Sequence, residues 1–494
     1  MGARGMERER PPGDRFARRF LGFTADTRIL GAVTRSCRMV LFSLVAAAMP
    51  LSGCAPEGPP NIVLVVIDTL RADHLSHYGY HRPTAPALDG FAATATLFTD
   101  CTSPAPWTVP SVASVMTGLH PARHRLHSLG FALPGDLITV AEVLRDGGWQ
   151  TAAVSFNPAV RPDFGFEQGF DLFEDHRGKF GAYPDVAEMV QWVDAWLTEG
   201  PPQPFFLYLQ PMNVHGPYKV PKEERSALLG RPPSRQFRYF REPMRSIMRK
   251  GQLDLREQVD SAYLESLVDQ YDTAVRYTTD QVARIFALLS SKGLFDNTLI
   301  ILTADHGEEL FDHGGFNHGT SMHRELLHVP LYVKMPGQRE ASQISAPVNL
   351  LDLFPTILDV AELRPQHRVD GRSLLPVLDD TSSAAGLDGR SRVYQCRWRN
   401  HFVGSAISSE DFKLVKIDSN YERTSSGWRL YDVRSDPGET TNLAESRAEV
   451  LERLREKMDR AISQYGENAG PKPEDRRHLF ARDRERLRAL GYVE

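Results

Sequence analysis

Four short stretches of the chain consist of consecutive apolar and β-branched residues followed by polar ones. Continuous apolar runs of this length are typical of parallel strands that are buried on both faces. Apolar residues at helical spacing in 185–198 and 262–290 indicate helices between these strands. The pattern predicts an α/β fold with a central, mostly parallel sheet flanked by helices. The four stretches are NIVLVVIDTL, PFFLYLQPMNVHGP, TLIILTADHGEEL and HVPLYVKMPG.

The last quarter of the chain has a different pattern. Residues 388–443 contain short apolar stretches separated by turns, and residues 444–468 have the spacing of an amphipathic helix. We therefore expect a main domain at 61–387 and a small C-terminal α+β subdomain at 388–469. The charge-dense end of the chain, 470–494, predicts a surface helix or an arm that wraps the body.

The N-terminal region carries a short apolar run, MVLFSLVAAAMPLSGC, that follows two arginines. A run of this length is too short to cross a bilayer as a helix, but it is typical of the core of a signal peptide. Its last four residues, Leu51 to Cys54, resemble a bacterial lipobox, in which the cysteine is lipidated. The alternative is a buried helix followed by an incidental cysteine. The small residues before Cys54 and the Pro/Gly-containing linker at 55–60 favour the lipobox.

We therefore expect residues 1–54 to be a lipoprotein signal-peptide region. Lipidation of Cys54 predicts a protein anchored by lipid in the bacterial cell envelope, in the periplasm or on the outer surface. The sequence does not distinguish the inner from the outer membrane.

Composition adds only broad limits. The 494 residues are 41% hydrophobic and 24% charged, which is typical of a globular protein with one large and one smaller domain. The net charge of −5 gives no reason to expect nucleic-acid binding, whereas a small anionic substrate needs only local positive charge. Four cysteines are too few for a disulfide framework. Cys101 and Cys396, in the folded body, could pair or stay free.

Polar residues follow three of the predicted strands directly or within a short loop. They are Asp68, His215 and the adjacent pair Asp305 and His306. In open α/β sheets, ligands bind beyond the carboxyl ends of the strands. Each residue taken alone is compatible with a helix cap or a turn. Together, two carboxylates and an imidazole at one sheet edge predict a site for a divalent metal such as zinc or manganese.

Thr108 lies just before Pro110 and Ser111. Proline is favoured in the first turn of a helix, so Thr108 is expected at a helix N-terminus, where free amides attract an anion. The hydroxyl has two interpretations. Taken alone, the position favours a helix cap. A metal beside it favours a nucleophile, because a cation lowers the pKa of a bound hydroxyl.

Two histidines lie in glycine-containing loops near strand ends. His215 stands in NVHGPY and His318 in FNHGTS. Both are candidates for binding the anionic oxygens of a substrate or for protonating its leaving group. The stretch 219–260 is rich in arginine and aromatic residues. These arginines could contact an anionic glycan or a lipid headgroup, but a solvated surface is the favoured interpretation.

Seven motifs in order make the chain resemble a known family. From about residue 61 to 445 it is similar to the sulfatase branch of the alkaline-phosphatase superfamily. This resemblance implies an alkaline-phosphatase-like sandwich and a catalytic domain at 61–387. Asp68, Asp305 and His306 would hold the metal, with Thr108 facing it as both ligand and nucleophile; His215 and His318 would contact the substrate. The motifs are VIDTLRADHLSHYGY, PWTVPSVASVMTGLHPARH, HGPYKVP, TADHGEELFDHG, LLDLFPTILDVA, DGRSLLPVL and RLYDVRSDPGETTNLA.

The chain also departs from the sulfatase pattern. Sulfatases carry a Cys or Ser, in a Cys-x-Pro-x-Arg context, that is oxidised to formylglycine. Here the corresponding segment is TVPSV, which begins at Thr108 and has no arginine. Thr69 replaces the second Asp of the opening motif, and Ser155-Phe156-Asn157 replaces the usual Gly-Lys.

A threonine nucleophile is similar to the phosphotransferases of this superfamily, including lipoteichoic acid synthase and the nucleotide pyrophosphatases. The pyrophosphatases bind a second zinc through an Asp-x-x-x-His motif. That spacing occurs here only between Asp73 and His77, in the opening loop. The resemblance therefore implies one divalent metal ion: zinc, manganese or calcium.

Three functions follow as hypotheses. The favoured one is a metal-dependent phosphodiesterase or phosphotransferase with Thr108 as nucleophile, because a simple alkoxide suits attack at phosphorus. The second is a sulfatase that works without formylglycine. The third is a binding protein that has kept the fold and lost turnover. The expected partners are a small anionic ester, which includes glycan and lipid headgroup esters, and the membrane that holds the lipid anchor.

Overall fold

The structure is a computed structural model that describes residues 58–175, 184–225, 261–387, 389–398, 402–420, 426–467, 469–476 and 478. These residues belong to one compact unit, Ala55–Glu494. The predicted signal-peptide region 1–54 lies outside the described residues, so the lipidation of Cys54 stays a prediction. Most of the arginine-rich stretch 219–260 and of the C-terminal arm 470–494 also lies outside them. None of the described helices is both long enough and apolar enough to cross a membrane.

Seventeen strands occur in the described part of the chain. Numbered in chain order, they are β1 (Asn61–Ile67), β2 (Thr96–Thr102), β3 (Phe131–Ala132), β4 (Gln150–Ser155), β5 (Leu172–Glu174), β6 (Phe205–Gln210), β7 (Thr298–Ala304), β8 (Glu309–Leu310), β9 (Phe316–Asn317), β10 (His328–Lys334), β11 (Ser342–Ile344), β12 (Val348–Asn349), β13 (Arg392–Trp398), β14 (Phe402–Ser409), β15 (Phe412–Asn420), β16 (Gly427–Asp432) and β17 (Glu474–Asp475).

The α-helices of the described residues connect these strands. They are α1 (Asp89–Ala92), α2 (Thr108–Thr117), α3 (Pro121–His124), α4 (Val140–Asp146), α5 (Val186–Glu199), α6 (Ser261–Ser291), α7 (Arg324–Leu327), α8 (Leu353–Val360), α9 (Leu375–Asp379) and α10 (Ala448–Glu467).

The central sheet confirms the predicted fold class. Among the described strands its order is β11-β2-β10-β7-β1-β6-β4-β5, and β12 pairs with β2 beside this path. Strands β7, β1, β6, β4 and β5 run parallel to one another. Every residue of β1, β6 and β7 is buried, as expected for central strands covered on both faces. Side chains from the sheet and its flanking helices form one main hydrophobic core.

The fourth apolar run does not form a parallel strand. β10 is antiparallel to both of its neighbours, β7 and β2. Its residues are all buried, like those of the parallel strands. A continuous apolar run therefore indicates burial on both faces, but it carries no information about strand direction.

The register of β1 and β7 places the first two acidic residues of the predicted site. These parallel strands pair along their full length, with Ile67 opposite Ala304. The next residues in the chain are Asp68 and Asp305. Two carboxylates separated by more than two hundred positions therefore leave the sheet side by side, at its carboxyl edge.

The C-terminal part forms a small α+β subdomain. Strands β13 to β16 make an antiparallel sheet in chain order. Helix α10 packs on this sheet through Leu454 and Met458, which join Val393, Ile407 and Leu414 in a separate apolar cluster. Short β17 pairs with β3 and ties the described start of the C-terminal arm to the main domain. Cys101 and Cys396 are both free and buried.

A buried ion pair inside this subdomain contacts the main domain through His323. The carboxylate of Glu439 accepts hydrogen bonds from Lys413 Nζ at 2.8 and 3.0 Å, and from His323 Nδ1 at 3.0 Å. Glu439 and Lys413 are each 3% exposed. Burial acts to raise the pKa of Glu439, but the charges of Lys413 and His323 outweigh it and lower that pKa to about 2. Since this is below the ordinary value of 4.5, the pair stabilises the fold above pH 4.5, and this stabilisation is lost as the pH falls towards 2.

We expect the substitution Glu439→Gln to lower the free energy of unfolding by about 3 kcal/mol, because it leaves the buried ammonium of Lys413 without its counter-charge. Denaturant unfolding of the metal-free protein measures this change. The double variant Lys413→Met, Glu439→Gln should recover part of the loss. Glu410→Gln is the matched control, because Glu410 pairs with Arg453 at the surface, where both are 51% exposed. Equal, small losses in Glu439→Gln and Glu410→Gln would contradict this account.

Candidate active site

Asp68 is a buried carboxylate held by two amide side chains. Its Oδ2 accepts hydrogen bonds from Asn157 Nδ2 at 2.6 Å and from Gln210 Nε2 at 3.4 Å. Asn157 follows β4 and Gln210 ends β6, so the carboxyl ends of three neighbouring strands meet here. Oδ1 of Asp68 is buried and has no hydrogen-bond partner.

Asp305 is also a buried carboxylate in which one oxygen accepts two hydrogen bonds, here from backbone amides. Its Oδ1 accepts from the backbone N–H of Thr69 at 3.2 Å and of His306 at 2.9 Å. Thr69 has a φ of 58°, in the left-handed region, and this conformation accompanies its amide contact with Asp305. Oδ2 of Asp305 is buried without a hydrogen-bond partner.

The Nε2 atom of His306 lies beside the carboxylates of Asp68 and Asp305. Its Nδ1 lies 2.8 Å from the carbonyl oxygen of Gly307, so Nδ1 carries the proton and donates it there. Nε2 lies 3.5 Å from Asp305 Oδ2 and 4.0 Å from Asp68 Oδ1. Gly307 is required by close packing, since a Cβ at this position would lie 1.9 Å from the carbonyl oxygen of Glu325.

These three side chains fit a divalent cation. One ligand atom from each of Asp68, Asp305 and His306 lies within 4.8 Å of the others. Burial raises the pKa of Asp68 to about 6. Burial and then the neighbouring Asp68 raise the pKa of Asp305 well above its usual range. Burial lowers the pKa of His306 far below its usual range, so the imidazole is neutral, as a metal ligand must be. Two buried carboxylates, each with an oxygen lacking a partner, are the arrangement that a cation stabilises.

Thr108 is the first residue of α2, and its hydroxyl lies against this cluster. Thr108 Oγ1 lies 3.1 Å from His306 Nε2. The N-cap position belongs to Trp107, so Thr108 is inside the first turn and is not the cap residue. Ser111 Oγ donates to the carbonyl oxygen of Asp305 at 2.7 Å and joins α2 to the loop after β7. The amides of the first helical turn therefore lie next to the carboxylate cluster.

His215 and His318 complete the site. The ring centroids of His306 and His318 are 4.5 Å apart, and those of His318 and His215 are 5.0 Å apart. Nδ1 of His215 lies 2.8 Å from the carbonyl oxygen of Gly216, which favours a proton on that nitrogen. All the residues predicted for the main-domain site therefore lie in one buried constellation.

Three further histidines of the main domain make contacts outside this site. His313 and His323 stack on each other near Glu439, with ring centroids 3.6 Å apart. Nε2 of His328 lies 2.9 Å from the carbonyl oxygen of Thr99. The Asp73 and His77 spacing does not form a second metal site. Asp73 pairs with Arg71 at 2.7 Å, and His77 pairs with Asp89 at 2.9 Å.

Comparison with known proteins identifies the family. Residues 60–363 match the sulfatase family, and residues 312–464 match the C-terminal region of N-sulphoglucosamine sulphohydrolase. The chain belongs to the sulfatase family. It is 23% identical to an N-acetylglucosamine-6-O-sulfatase of Bacteroides thetaiotaomicron, over 86% of this chain and 91% of that protein.

Two solved structures show the same fold. One is a protein in complex with its substrate D-glucosamine-2-N,6-O-disulfate, with a TM-score of 0.68 and 20% identity, covering 83% of this chain and 99% of that chain. The other is a phosphonate monoester hydrolase of Agrobacterium radiobacter, with a TM-score of 0.66 and 22% identity. The match covers 82% of this chain and 96% of that chain. The alkaline-phosphatase-like fold with a C-terminal subdomain is thus confirmed. The protein is a sulfatase-family hydrolase, from a family that acts on sulfate or phosphate esters.

Glu308 is a member of the site that sequence reasoning missed. It is fully buried, and its Oε1 lies 3.1 Å from Nδ1 of His318. Burial raises the pKa of Glu308 to about 7, although the nearby His215 acts in the opposite direction. The contact orients the ring of His318 through Nδ1. The signal was present in the motif TADHGEEL, where an acidic residue stands two positions after a metal ligand.

Asn157, in the segment Ser155-Phe156-Asn157, orients a carboxylate of the candidate metal site. Its Nδ2 donates to Asp68 Oδ2, while its Oδ1 accepts from the amide of Ala159 at 2.7 Å. The amide thereby fixes the carboxylate with Oδ1 directed away from Asn157, without adding a charge. A substitution at Asn157 should act on the metal through Asp68.

We expect Asn157→Ala to weaken metal binding by about 10- to 100-fold, because Asp68 loses the shorter of its two amide hydrogen bonds. Titration of the metal-stripped protein, followed by calorimetry, measures this change. Thermal unfolding of the metal-free variant shows whether the fold has been kept. Unchanged metal affinity in a folded Asn157→Ala variant would show that Asn157 does not position Asp68.

Proposed function

We propose that this sulfatase-family protein cleaves or transfers phosphate esters, with Thr108 as the nucleophile and one divalent metal ion held by Asp68, Asp305 and His306. The observation that carries the proposal is the position of the Thr108 hydroxyl. It lies 3.1 Å from His306 Nε2, in the first turn of α2, beside two carboxylates that each have an oxygen without a partner.

The chemistry of threonine favours phosphorus over sulfur. Oxidation of the Cβ of cysteine or serine gives the aldehyde of formylglycine, but threonine carries a methyl group on Cβ and would give a ketone. The hydrate of an aldehyde can expel bound sulfate through its second hydroxyl. Thr108 has only one oxygen on Cβ and lacks that route. A covalent phosphothreonine, in contrast, is released by attack of water or an alcohol at phosphorus.

The donor set favours zinc or manganese over calcium. Calcium takes six to eight oxygen ligands, whereas this site offers two carboxylates, an imidazole nitrogen and the Thr108 hydroxyl. When bound, such a cation lowers the pKa of a neighbouring hydroxyl and offsets negative charge.

The residues of the chain then have distinct tasks. Thr108 gives up its hydroxyl proton to water as Oγ forms a bond to phosphorus and the bond to the leaving oxygen breaks. His215, protonated on both ring nitrogens for this step, gives the proton on Nε2 to that oxygen while Nδ1 stays bonded to the carbonyl oxygen of Gly216. The amides at the start of α2 and His318 face the negative charge on the other oxygens of phosphorus. Glu308 positions His318 through Nδ1. Water or an acceptor alcohol then takes the phosphoryl group from Thr108.

The second candidate is a sulfatase that works without formylglycine. It is favoured by the matches of 60–363 and 312–464 to sulfatase sequences, including those of the C-terminal subdomain. Under either candidate the substrate is an anionic ester, and the disulfated glucosamine bound by one structural neighbour makes a glycan ester a reasonable class to test. We also propose a lipid anchor at Cys54 and a place in the cell envelope, supported by the lipobox.

A panel of esters tests the proposed function. The chain from Ala55 onward is stripped of metal and supplied with zinc, manganese or calcium in turn. Each form is given a nitrophenyl phosphate, a bis-nitrophenyl phosphodiester and a nitrophenyl sulfate. Metal-dependent turnover of a phosphate ester above that of the sulfate is the expected result. Turnover of the sulfate alone would favour the second candidate, and no turnover despite metal binding would favour a binding protein.

Protons should compete with the metal for this site. The pKa of Asp68 is raised to about 6 in the metal-free protein, so the carboxylate takes up a proton below that pH. We expect metal affinity to fall by at least about tenfold per pH unit below pH 6, because Asp305, whose pKa is also raised, takes up a proton as well. Titration between pH 5 and 8 measures this change. Since the raised pKa lies above the ordinary 3.8, the contribution of Asp68 to the stability of the metal-free fold should decrease as the pH rises from 3.8 to 6. A metal affinity that does not vary with pH would contradict this prediction.

A further inference from the structure

A cleft of about 340 Å³ opens beside His215. Part of its wall is apolar, formed by Met212 and Val220 together with prolines. Lys219 and Arg225 also line it, and both are exposed to solvent. The cleft therefore combines an apolar wall with two cationic side chains, next to a histidine of the candidate active site.

The segment that carries the two cations is fixed by its own hydrogen bonds. Asn213 Oδ1 accepts from the amide of Val186 at 2.9 Å, and its Nδ2 donates to the carbonyl oxygen of Lys219 at 3.0 Å. Nε of Arg225 donates to the carbonyl oxygen of Val220 at 3.1 Å. These bonds hold the backbone of Lys219 and the guanidinium of Arg225 at the cleft.

The acidic residue that lines the cleft is already engaged by the protein. Asp185 caps α5, where its Oδ1 accepts from the amide of Ala187 at 3.0 Å and from the hydroxyl of Tyr277 at 2.7 Å. Two cations therefore face the cleft against one carboxylate that is committed to a helix cap. This balance favours an anion in the cleft.

His215 relates the cleft to the reaction. In the proposed function this histidine gives a proton to the leaving oxygen, so the leaving half of the substrate must lie against it. Because His215 also lines the cleft, the leaving half extends in that direction.

We propose that this cleft binds the leaving-group half of the substrate and that Lys219 and Arg225 recognise a second anionic group on it. The proposal rests on the proposed function. An apolar wall with two cations suits a ring or chain that carries a carboxylate, sulfate or phosphate in addition to the ester that is cleaved. The substrate class is thus an ester with at least two anionic groups, and the cations near His215 are specificity residues.

A pair of matched esters tests this proposal. The full chain, loaded with the metal that supports turnover, is given nitrophenyl phosphate and an analogue with a carboxylate beside the nitro group. The kcat/KM values are corrected for the uncatalysed rates of the two esters. We expect wild type to prefer the carboxylated ester. The ratio of the two kcat/KM values should fall by about threefold in Lys219→Met and by about the same factor in the separate variant Arg225→Gln. Lys222→Met is the control, because this exposed lysine belongs to the same segment but does not line the cleft.

Each outcome supports or contradicts the proposal that the cleft binds the leaving-group half of the substrate. Equal kcat/KM values for the two esters in wild type would overturn the proposal, and so would variants that slow both esters equally. If neither ester is cleaved, the proposed function fails separately. Binding of the carboxylated nitrophenol, followed by its absorbance, then tests the cleft alone. Tighter binding than nitrophenol, weakened in Lys219→Met but not in Lys222→Met, supports the cleft; equal binding of the two phenols overturns it.

Discussion

Thr108→Ala should lower kcat by about a thousandfold or more on any phosphate ester that the wild type cleaves. The substitution removes the oxygen that forms the bond to phosphorus, so only direct attack by water remains. The effect on KM should be small, because the candidate metal ligands and both histidines proposed to contact the substrate are retained. Steady-state kinetics of the metal-loaded variant, with metal content measured in the same sample, gives the result.

Two features separate a nucleophile from a structural hydroxyl. Thr108→Ser keeps the oxygen and should retain far more activity than Thr108→Ala. Since Trp107 and not Thr108 is the cap residue of α2, Thr108→Ala removes the contact with His306 but no helix cap, and the variant should still fold. A Thr108→Ala variant that keeps most of its turnover, or that loses activity only because it unfolds, would contradict the role assigned to Thr108.

Asp305→Asn should weaken metal binding by about a hundredfold or more and reduce kcat/KM in proportion. Asparagine keeps the size of the side chain and can still accept from the amide of Thr69, but it removes one of the two negative charges. Burial makes that charge costly in the metal-free protein, so the metal-free variant should be at least as stable as metal-free wild type. Added metal should raise the Tm of wild type but not that of the variant.

Asp296→Asn is the matched control for this experiment. Asp296 pairs with Arg339 at the surface, where its side chain is 54% exposed. The same chemical change there should leave both metal binding and turnover as in wild type. If Asp305→Asn binds metal as tightly as Asp296→Asn does, the cation is not held at the carboxyl ends of β1 and β7.

The juxtaposition of the two candidate metal-binding carboxylates could be predicted because it follows from strand geometry. Parallel strands end at the same edge, so residues after two apolar runs become neighbours when the strands pair. β1 and β7 do pair, and Asp68 and Asp305 meet. Thr108 could be placed at a helix start because Pro110 suits the first turn. These inferences need only local patterns and a general rule about α/β sheets.

The residues that orient these groups could not be predicted in the same way. Asn157 and Gln210 reach Asp68 from two other strands, and nothing in their local sequence indicates that contact. Glu308 bonds His318 across a short hairpin. The predicted parallel direction of β10 was wrong, because burial of a strand and the direction in which it runs are independent. Such contacts depend on strand order and side-chain direction, which hydrophobic patterns do not encode.

The family assignment does not by itself determine which ester is cleaved, because sulfatases and a phosphonate monoester hydrolase share this fold. The distinction depends on a few side chains at the nucleophile. Thr108 and Thr69 differ from the residues that the sulfatase pattern leads one to expect, and Ser155-Phe156-Asn157 stands in place of the usual Gly-Lys. Asp68, Asp305 and His306 nevertheless lie together as a candidate metal site.

The most direct test of the central claim is the stereochemical course at phosphorus. A phosphorothioate diester of defined chirality is hydrolysed by the metal-loaded enzyme in isotopically labelled water, and the configuration of the product is determined. Attack by Thr108 followed by attack of water inverts phosphorus twice, so the account predicts retention of configuration. Inversion would mean that water attacks the ester directly and that Thr108 is not the nucleophile.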